Sequence, residues 1–372
     1  MKHLGQLVTS MGLSLDRLAE QSGMGISRLR DIVDGKVDAS LRELNLIASA
    51  LNLSVTELSG LAANNEIDFL FRNNSEGRSD LKQVSQILAR RISTATEILG
   101  SQSKPQWLSA FGVIEESASE AMRLASLFRY FFCGDEPLRP IPDLPQIIVR
   151  ANDIILLVVN KMRIDGASGI HDGWPFIYLS KRFPPRMLFT LAHELAHIVS
   201  HHNESEAVFV DAEGTVGRLR HQDKVSESFA DFFASNLLLP EQGVGKFLGE
   251  LRQQLGIKNG PLGDVEILHL AHFFCVSFEV AAIRCEQLNL LPSGGASSLS
   301  RYLKKEHGSP EKRAQELGLP SRDEVDFDVV HPALASRALK AIEQGEVSLG
   351  LAADMLGMSA ADLIRLNSDR LH

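Results

Sequence analysis

Residues 190–197 read Thr-Leu-Ala-His-Glu-Leu-Ala-His, and no other stretch limits the possible folds as much. Histidines four apart fall on one face of a helix, with β-carbons about 5–6 Å apart. From there both imidazoles can reach a single ion at about 2.0–2.1 Å. Leu191 and Leu195 add a neighbouring apolar stripe, so the segment predicts a helix buried against a core with His193 and His197 as metal ligands. Glu194 is turned about 100° round the helix from His193, which sets it beside such an ion as a general base and not as a ligand.

Two histidines and a base are an incomplete site. The next strongly amphipathic segment, ESFADFFASNLLLP at 227–240, supplies two carboxylates four apart, with Phe229, Phe232, Phe233, Leu237 and Leu238 as its buried side. A two-His-one-Glu zinc site keeps its fourth position for water, and a ligating histidine usually gives its other N–H to a carboxylate. Glu227 as third ligand and Asp231 as the group orienting a histidine meet both needs. A water acidified by such a metal, with a carboxylate to take its proton, is the chemistry of amide hydrolysis.

The composition suits this reading. A chain of 372 residues, 44% hydrophobic and 23% charged, has room for two or three domains with a substantial core. No apolar run approaches bilayer length, and the N-terminus lacks the pattern of a signal peptide. Cys133, Cys275 and Cys285 are too few and too scattered for a secreted disulfide framework. These features point to a cytoplasmic protein without membrane contact.

From Ser14 to Leu58 three short amphipathic segments are punctuated by Gly23, Gly25 and Gly35, with Ser14 and Ser40 placed as helix N-caps. Over about 50 residues this order resembles the Cro/C1 (XRE) repressor family. The resemblance makes the segment from Gly25 to Val33 the recognition helix, with Ser27, Arg28 and Arg30 facing DNA. A helical bundle used for protein contacts is the competing reading. Residues 1–58 hold six Lys or Arg against seven Asp or Glu, whereas a phosphate-dominated interface wants a positive surplus. DNA binding through a homodimer, or weak binding, follows from that balance.

FTLAHELAH at 189–197, together with Glu-x-x-Ala-x-x-Phe-Ala-x-x-Leu-Leu-x-Pro from Glu227 to Pro240, resembles the ImmA/IrrE metallopeptidases. The stretches DGASGIHDGWPFIYLSKRFPPR at 165–186 and FFCVSFEVAAIRCEQLNLL at 273–291 are similar to that family as well. The resemblance covers roughly half of the chain. It implies a gluzincin-like zinc endopeptidase that cleaves a helix-turn-helix repressor encoded nearby, releasing stress, mobile-element or phage-defence genes. Carried over, His193, His197 and Glu227 are the ligands of one zinc ion and Glu194 the base. The departures, Ala196 where glycine is frequent and Met187 and Leu188 before Phe189, remove no catalytic group. The alternative is an XRE-type regulator or antitoxin whose metal domain is a non-catalytic sensor or scaffold.

Three further features have two readings each. PFIYLSKRF at 175–183 fits an edge strand to which an extended substrate could add, or an internal strand. Tyr178 and His221, with His201 and His202, are candidate oxyanion donors. Cys133, in FFCGDEP at 131–137, is either an inhibitory fourth metal ligand or a buried core thiol.

The expected fold is mainly α with a small β-sheet (α+β). Residues 1–60 form a helix-turn-helix domain, 61–105 a linker and connecting helix, 106–291 the metallopeptidase domain and 292–372 a helical C-terminal region. In the last, the spacing around Leu356, Gly357 and Ser359 resembles the N-terminal unit, as a helical cap, a dimer element or a second DNA reader.

Overall fold

The computed structural model describes residues 4–5, 8, 13–51, 58, 69–71, 79–113, 115–159, 164–201, 208–212, 225–356 and 358–368. The chain is α+β, as expected.

At the N-terminus α1 (Leu15–Ser22), α2 (Ile26–Val33) and α3 (Leu41–Leu51) form the helix-turn-helix unit around buried Leu18, Leu29, Ile32, Ile47 and Leu51. Both expected caps are present. The Ser14 hydroxyl accepts from the Arg17 amide at 3.2 Å, and Ser40 and Glu43 make a reciprocal capping box, with the Ser40 amide donating to Glu43 at 2.8 Å.

A five-stranded sheet in the order β1-β5-β3-β4-β2 lies at the centre: β1 (Phe69–Phe71), β2 (Ile155–Val159), β3 (Ile164–His171), β4 (Trp174–Ser180) and β5 (Val208–Ala212). β3 and β4 are a hairpin closed by Asp172 and Gly173, both at positive φ, which gives the turn that matches strand twist. Gly173 is required twice over, because a β-carbon there would also run into the Gln102 carbonyl. β4 pairs with β3 on one side and β2 on the other. It is internal, so the edge-strand reading of 175–183 is wrong and no substrate can add to it.

Alternation along the strands gives the sheet two apolar faces. Ile170, Ile177, Leu179 and Leu156 pack with α7 (Pro184–His201) and α8 (Val225–Leu238), which hold the histidines and the second pair of carboxylates. Ile155, Leu157, Ala167, Phe176 and Tyr178 pack on the other side. There the long α4 (Ser79–Leu99) crosses the sheet, tied by Tyr178 Oη donating to the Leu88 carbonyl at 2.9 Å and Trp174 Nε1 to the Gly100 carbonyl at 2.8 Å. The first face also carries α5 (Ala118–Phe132), which lies along α8, the short α6 (Leu144–Arg150), and the helices from Glu241 to Glu316.

Three C-terminal helices, Pro332–Glu343, Leu349–Leu356 and Ala360–Ser368, join α4 on the second face, where Leu334, Ala338 and Leu339 pack with Ile92, Ala95 and Leu99. The last two follow the spacing of α1 and α2. Ser348 caps the Leu351 amide as Ser14 caps Arg17, and the Met358 amide meets the Ala353 carbonyl as Met24 meets Ala19. Leu363 is buried like Leu29. The second unit thus shares the cap, the turn contact and a buried leucine with the first.

Candidate metal centre

The apolar stripe of α7 presses its helix onto β3 and β4, and this burial carries the polar side chains inside with it. His193, Glu194, His197, Glu227 and Asp231 are all at most 2% exposed. Polar groups at that depth need partners. His193 Nδ1 stands 2.8 Å from Asp231 Oδ1. Because a carboxylate only accepts, Nδ1 is the donor and the lone pair of His193 is on Nε2.

That lone pair is turned toward the other candidate donors. His193 Nε2 is 3.1 Å from His197 Nε2 and 3.5 Å from Glu227 Oε2, and His197 Nε2 is 4.0 Å from Glu227 Oε1. An ion bound tetrahedrally at about 2.0–2.1 Å holds its donor atoms roughly 3.3–3.4 Å apart. The two separations from His193 lie close to that value and the 4.0 Å one is longer, so a small shift of the Glu227 carboxylate toward His197 would let two imidazoles and a carboxylate hold zinc. Among the described residues this is the one cluster of His, Cys, Asp and Glu with converging donor atoms.

Glu194 leaves α7 toward the sheet. Its Oε2 accepts from Ser168 Oγ at 2.6 Å, so the carboxyl of the residue next to His193 rests on β3.

The other candidates fall elsewhere. Ala167 is opposite Tyr178 in the β3–β4 register. Since Ser168 reaches Glu194, its neighbour Ala167 and the Tyr178 ring point away from the site, and the Tyr178 hydroxyl is spent on Leu88. Tyr178 is thus no oxyanion donor here. His221 and His202 lie outside the described residues, as does the His201 side chain.

Cys133 is the C-terminal cap residue of α5 and is buried in the apolar core. One turn earlier, Arg129 donates to the Leu237 carbonyl near the far end of α8. Glu227 is in the first turn of α8, about 15 Å away at 1.5 Å per residue. The thiol is not brought to the ligands, and desolvation pushes its pKa up, against the thiolate a metal would need. The core-thiol reading stands.

Two buried arginines at the far end of α8 had gone unnoticed. Arg129 donates to the carbonyls of Pro137, Arg139 and Leu237. Arg284 reaches the Leu239 carbonyl at 2.9 Å and Asn236 Oδ1 at 2.7 Å. Burial lowers both to about 10, still charged, and cations suit a helix C-terminus. They fix the axial position of α8 and with it Glu227 and Asp231.

At the N-terminal unit Ser27, Arg28 and Arg30 are exposed. Arg28, however, donates to Glu43 and to the Asp38 carbonyl. Its guanidinium, with the Ser40 donors, holds the Glu43 carboxyl down to about 2.

Family comparison agrees with this geometry. Residues 153–286 match the peptidase M78 family model, described as an IrrE N-terminal-like domain, and residues 4–58 match a helix-turn-helix model. No curated protein matches the chain. The molecule thus joins a helix-turn-helix domain to a metallopeptidase-like domain. More narrowly, the first is of the XRE type and the second IrrE/ImmA-like.

Proposed function

We propose that this chain is a zinc-dependent endopeptidase that cuts a helix-turn-helix repressor and so releases the genes it holds. The observation that carries the reading is the division of labour among buried groups. Three donors converge on one point, while a second carboxylate, Glu194, is held beside them and tied to β3.

His193, His197 and Glu227 would hold the ion, and Asp231 keeps the His193 ring in the tautomer that presents Nε2. Zinc, when bound, supplies a Lewis acid that acidifies water and polarises a carbonyl. Glu194 accepts the proton of the attacking water and returns it to the leaving amine. The surrounding apolar side chains exclude bulk water, which strengthens each of these interactions.

Partner choice rests on the N-terminal domain. Its near-balanced charge and the engagement of Arg28 by Glu43 disfavour tight DNA binding by a single copy, and suit a domain that brings a protein or a promoter-bound repressor to the peptidase. The test is co-expression with the helix-turn-helix repressor encoded beside its gene. The wild-type chain is expected to cut it, whereas Glu194→Gln, with its zinc content intact, is expected to leave it whole. Cleavage by the Gln variant would remove Glu194 from the mechanism.

A further inference from the structure

The chemistry above needs Glu194 in one orientation, and α7 alone does not provide it. A glutamate on a helix has three rotatable side-chain bonds, and this one is buried beside three potential metal ligands. Two residues of β3 restrict it. A β-carbon on Gly166 would meet Glu194 Oε1 at 2.3 Å and Cγ and Cδ at 2.9 Å, closer than such atoms pack, so the end of the Glu194 side chain lies directly on the Gly166 backbone. Two residues along the same face, Ser168, itself fully buried, donates to Oε2 at 2.6 Å.

The register of this contact is itself locked. Asp165, next to Gly166 at an irregularity between β3 and β5, accepts from Arg186 at 2.9 and 3.0 Å. Arg186 is in the first turn of α7, so one charge pair, between a buried Asp165 and an exposed Arg186, ties the start of the helix to the strand that meets Glu194 two turns later.

From these contacts we infer that Gly166 and Ser168 are positioning residues that seat Glu194, keeping its carboxylate beside the metal ligands and not among them. The inference deepens the peptidase reading and rests on it. Ser168 holds Oε2, and Oε1 lies closest to Gly166, so both oxygens are placed by β3. The two glutamates of the site then take different roles because of what they meet: Glu227 faces the Nε2 atoms of His193 and His197, and Glu194 rests on a glycine and a hydroxyl.

The test has two arms on the full-length chain. In the first, the purified neighbour-encoded repressor is the substrate. Ser168→Ala is expected to lower kcat about 10- to 100-fold, the range for removing one positioning contact in a catalytic site. KM should stay within about twofold and zinc content should not change. Ser168→Thr, which keeps the hydroxyl, should recover most of the loss. Combining Ser168→Ala with Glu194→Gln should lower residual cleavage no further than Glu194→Gln alone, since residues that act as a unit are not additive.

The second arm needs no activity. Thermal unfolding of the EDTA-treated protein is followed for Ser168→Ala, Glu194→Met and the double variant. Ser168→Ala should lower Tm when Glu194 is present and barely alter it when Met replaces it. Equal shifts in both backgrounds would overturn the seat, whatever the cleavage result. A wild-type chain that cuts nothing, with coupling intact in the second arm, would refute the peptidase reading and leave the contact standing. Loss of kcat without rescue by Thr and with additive Tm shifts would assign Ser168 to packing alone.

Discussion

Replacing Asp231 tests the least visible part of the metal centre. Its carboxylate holds His193 Nδ1 at 2.8 Å with neither group exposed, so Asp231→Ala strands a buried N–H donor. Leaving such a group unsatisfied costs about 1–3 kcal/mol. In addition, His193 loses the restraint that keeps Nε2 aimed at the cluster. If that cost falls on the metal-bound state, 1.4 kcal/mol being a factor of ten, zinc affinity should drop about 10- to 100-fold, the range found for partners of metal-ligating histidines. Asp231→Asn keeps an uncharged acceptor and should lose less, since charge-assisted bonds are roughly twice as strong as neutral ones. Competition against a chromophoric chelator measures both. Affinity within twofold of wild type for Asp231→Ala would show that His193 does not depend on Asp231, and would remove the tautomer argument.

Three other outcomes follow. Arg129→Met leaves the carbonyls of Pro137, Arg139 and Leu237 without their donor and should destabilise the fold by about 2–4 kcal/mol, read as a lower denaturant midpoint. Cys133→Ser should change neither zinc content nor basal cleavage, because the thiol is at the wrong end of α8; a rise in cleavage would restore it as an inhibitory ligand. His331, buried against the Trp174 ring, donates through Nε2 to Asp153 at 2.7 Å and accepts the Leu334 amide. Desolvation lowers its pKa below the usual 6.5 despite Asp153. The unfolded chain then binds the proton more readily, so the stability from neutral His331 is whole above about pH 6.5 and is lost as pH falls through the lower folded value. Trp174 fluorescence should follow that loss, and His331→Asn, which keeps an N-cap acceptor, should remove this part of the acid dependence.

The groups of the centre were legible because helix spacing is local. A spacing of four positions from His193 to His197, and again from Glu227 to Asp231, fixes which side chains share a face before any tertiary contact is known. The helix-turn-helix unit was legible for a similar reason, through its caps and glycines. What failed was non-local. An isolated strand does not reveal its neighbours, so 175–183 could be edge or centre, and the parallel pairing with β2 decided it. Nor does a strand reveal which face receives the helix, and Tyr178 fell on the wrong one. Gly166 and Ser168 did leave a trace: they put two small residues on one face of β3, a sign of close approach by another element. Arg129 and Arg284 left none, since a buried arginine looks like a surface one until the carbonyls around it are in place.

X-ray absorption at the zinc edge of the purified, zinc-loaded chain tests the account most directly. One ion per chain is expected, with two imidazoles and oxygen donors at about 2.0–2.1 Å. Loss of the ion in His193→Ala, His197→Ala or Glu227→Ala should follow. A sulfur scatterer at about 2.3 Å, or stoichiometric zinc that survives the loss of Glu227, would contradict the site built here from α7 and α8.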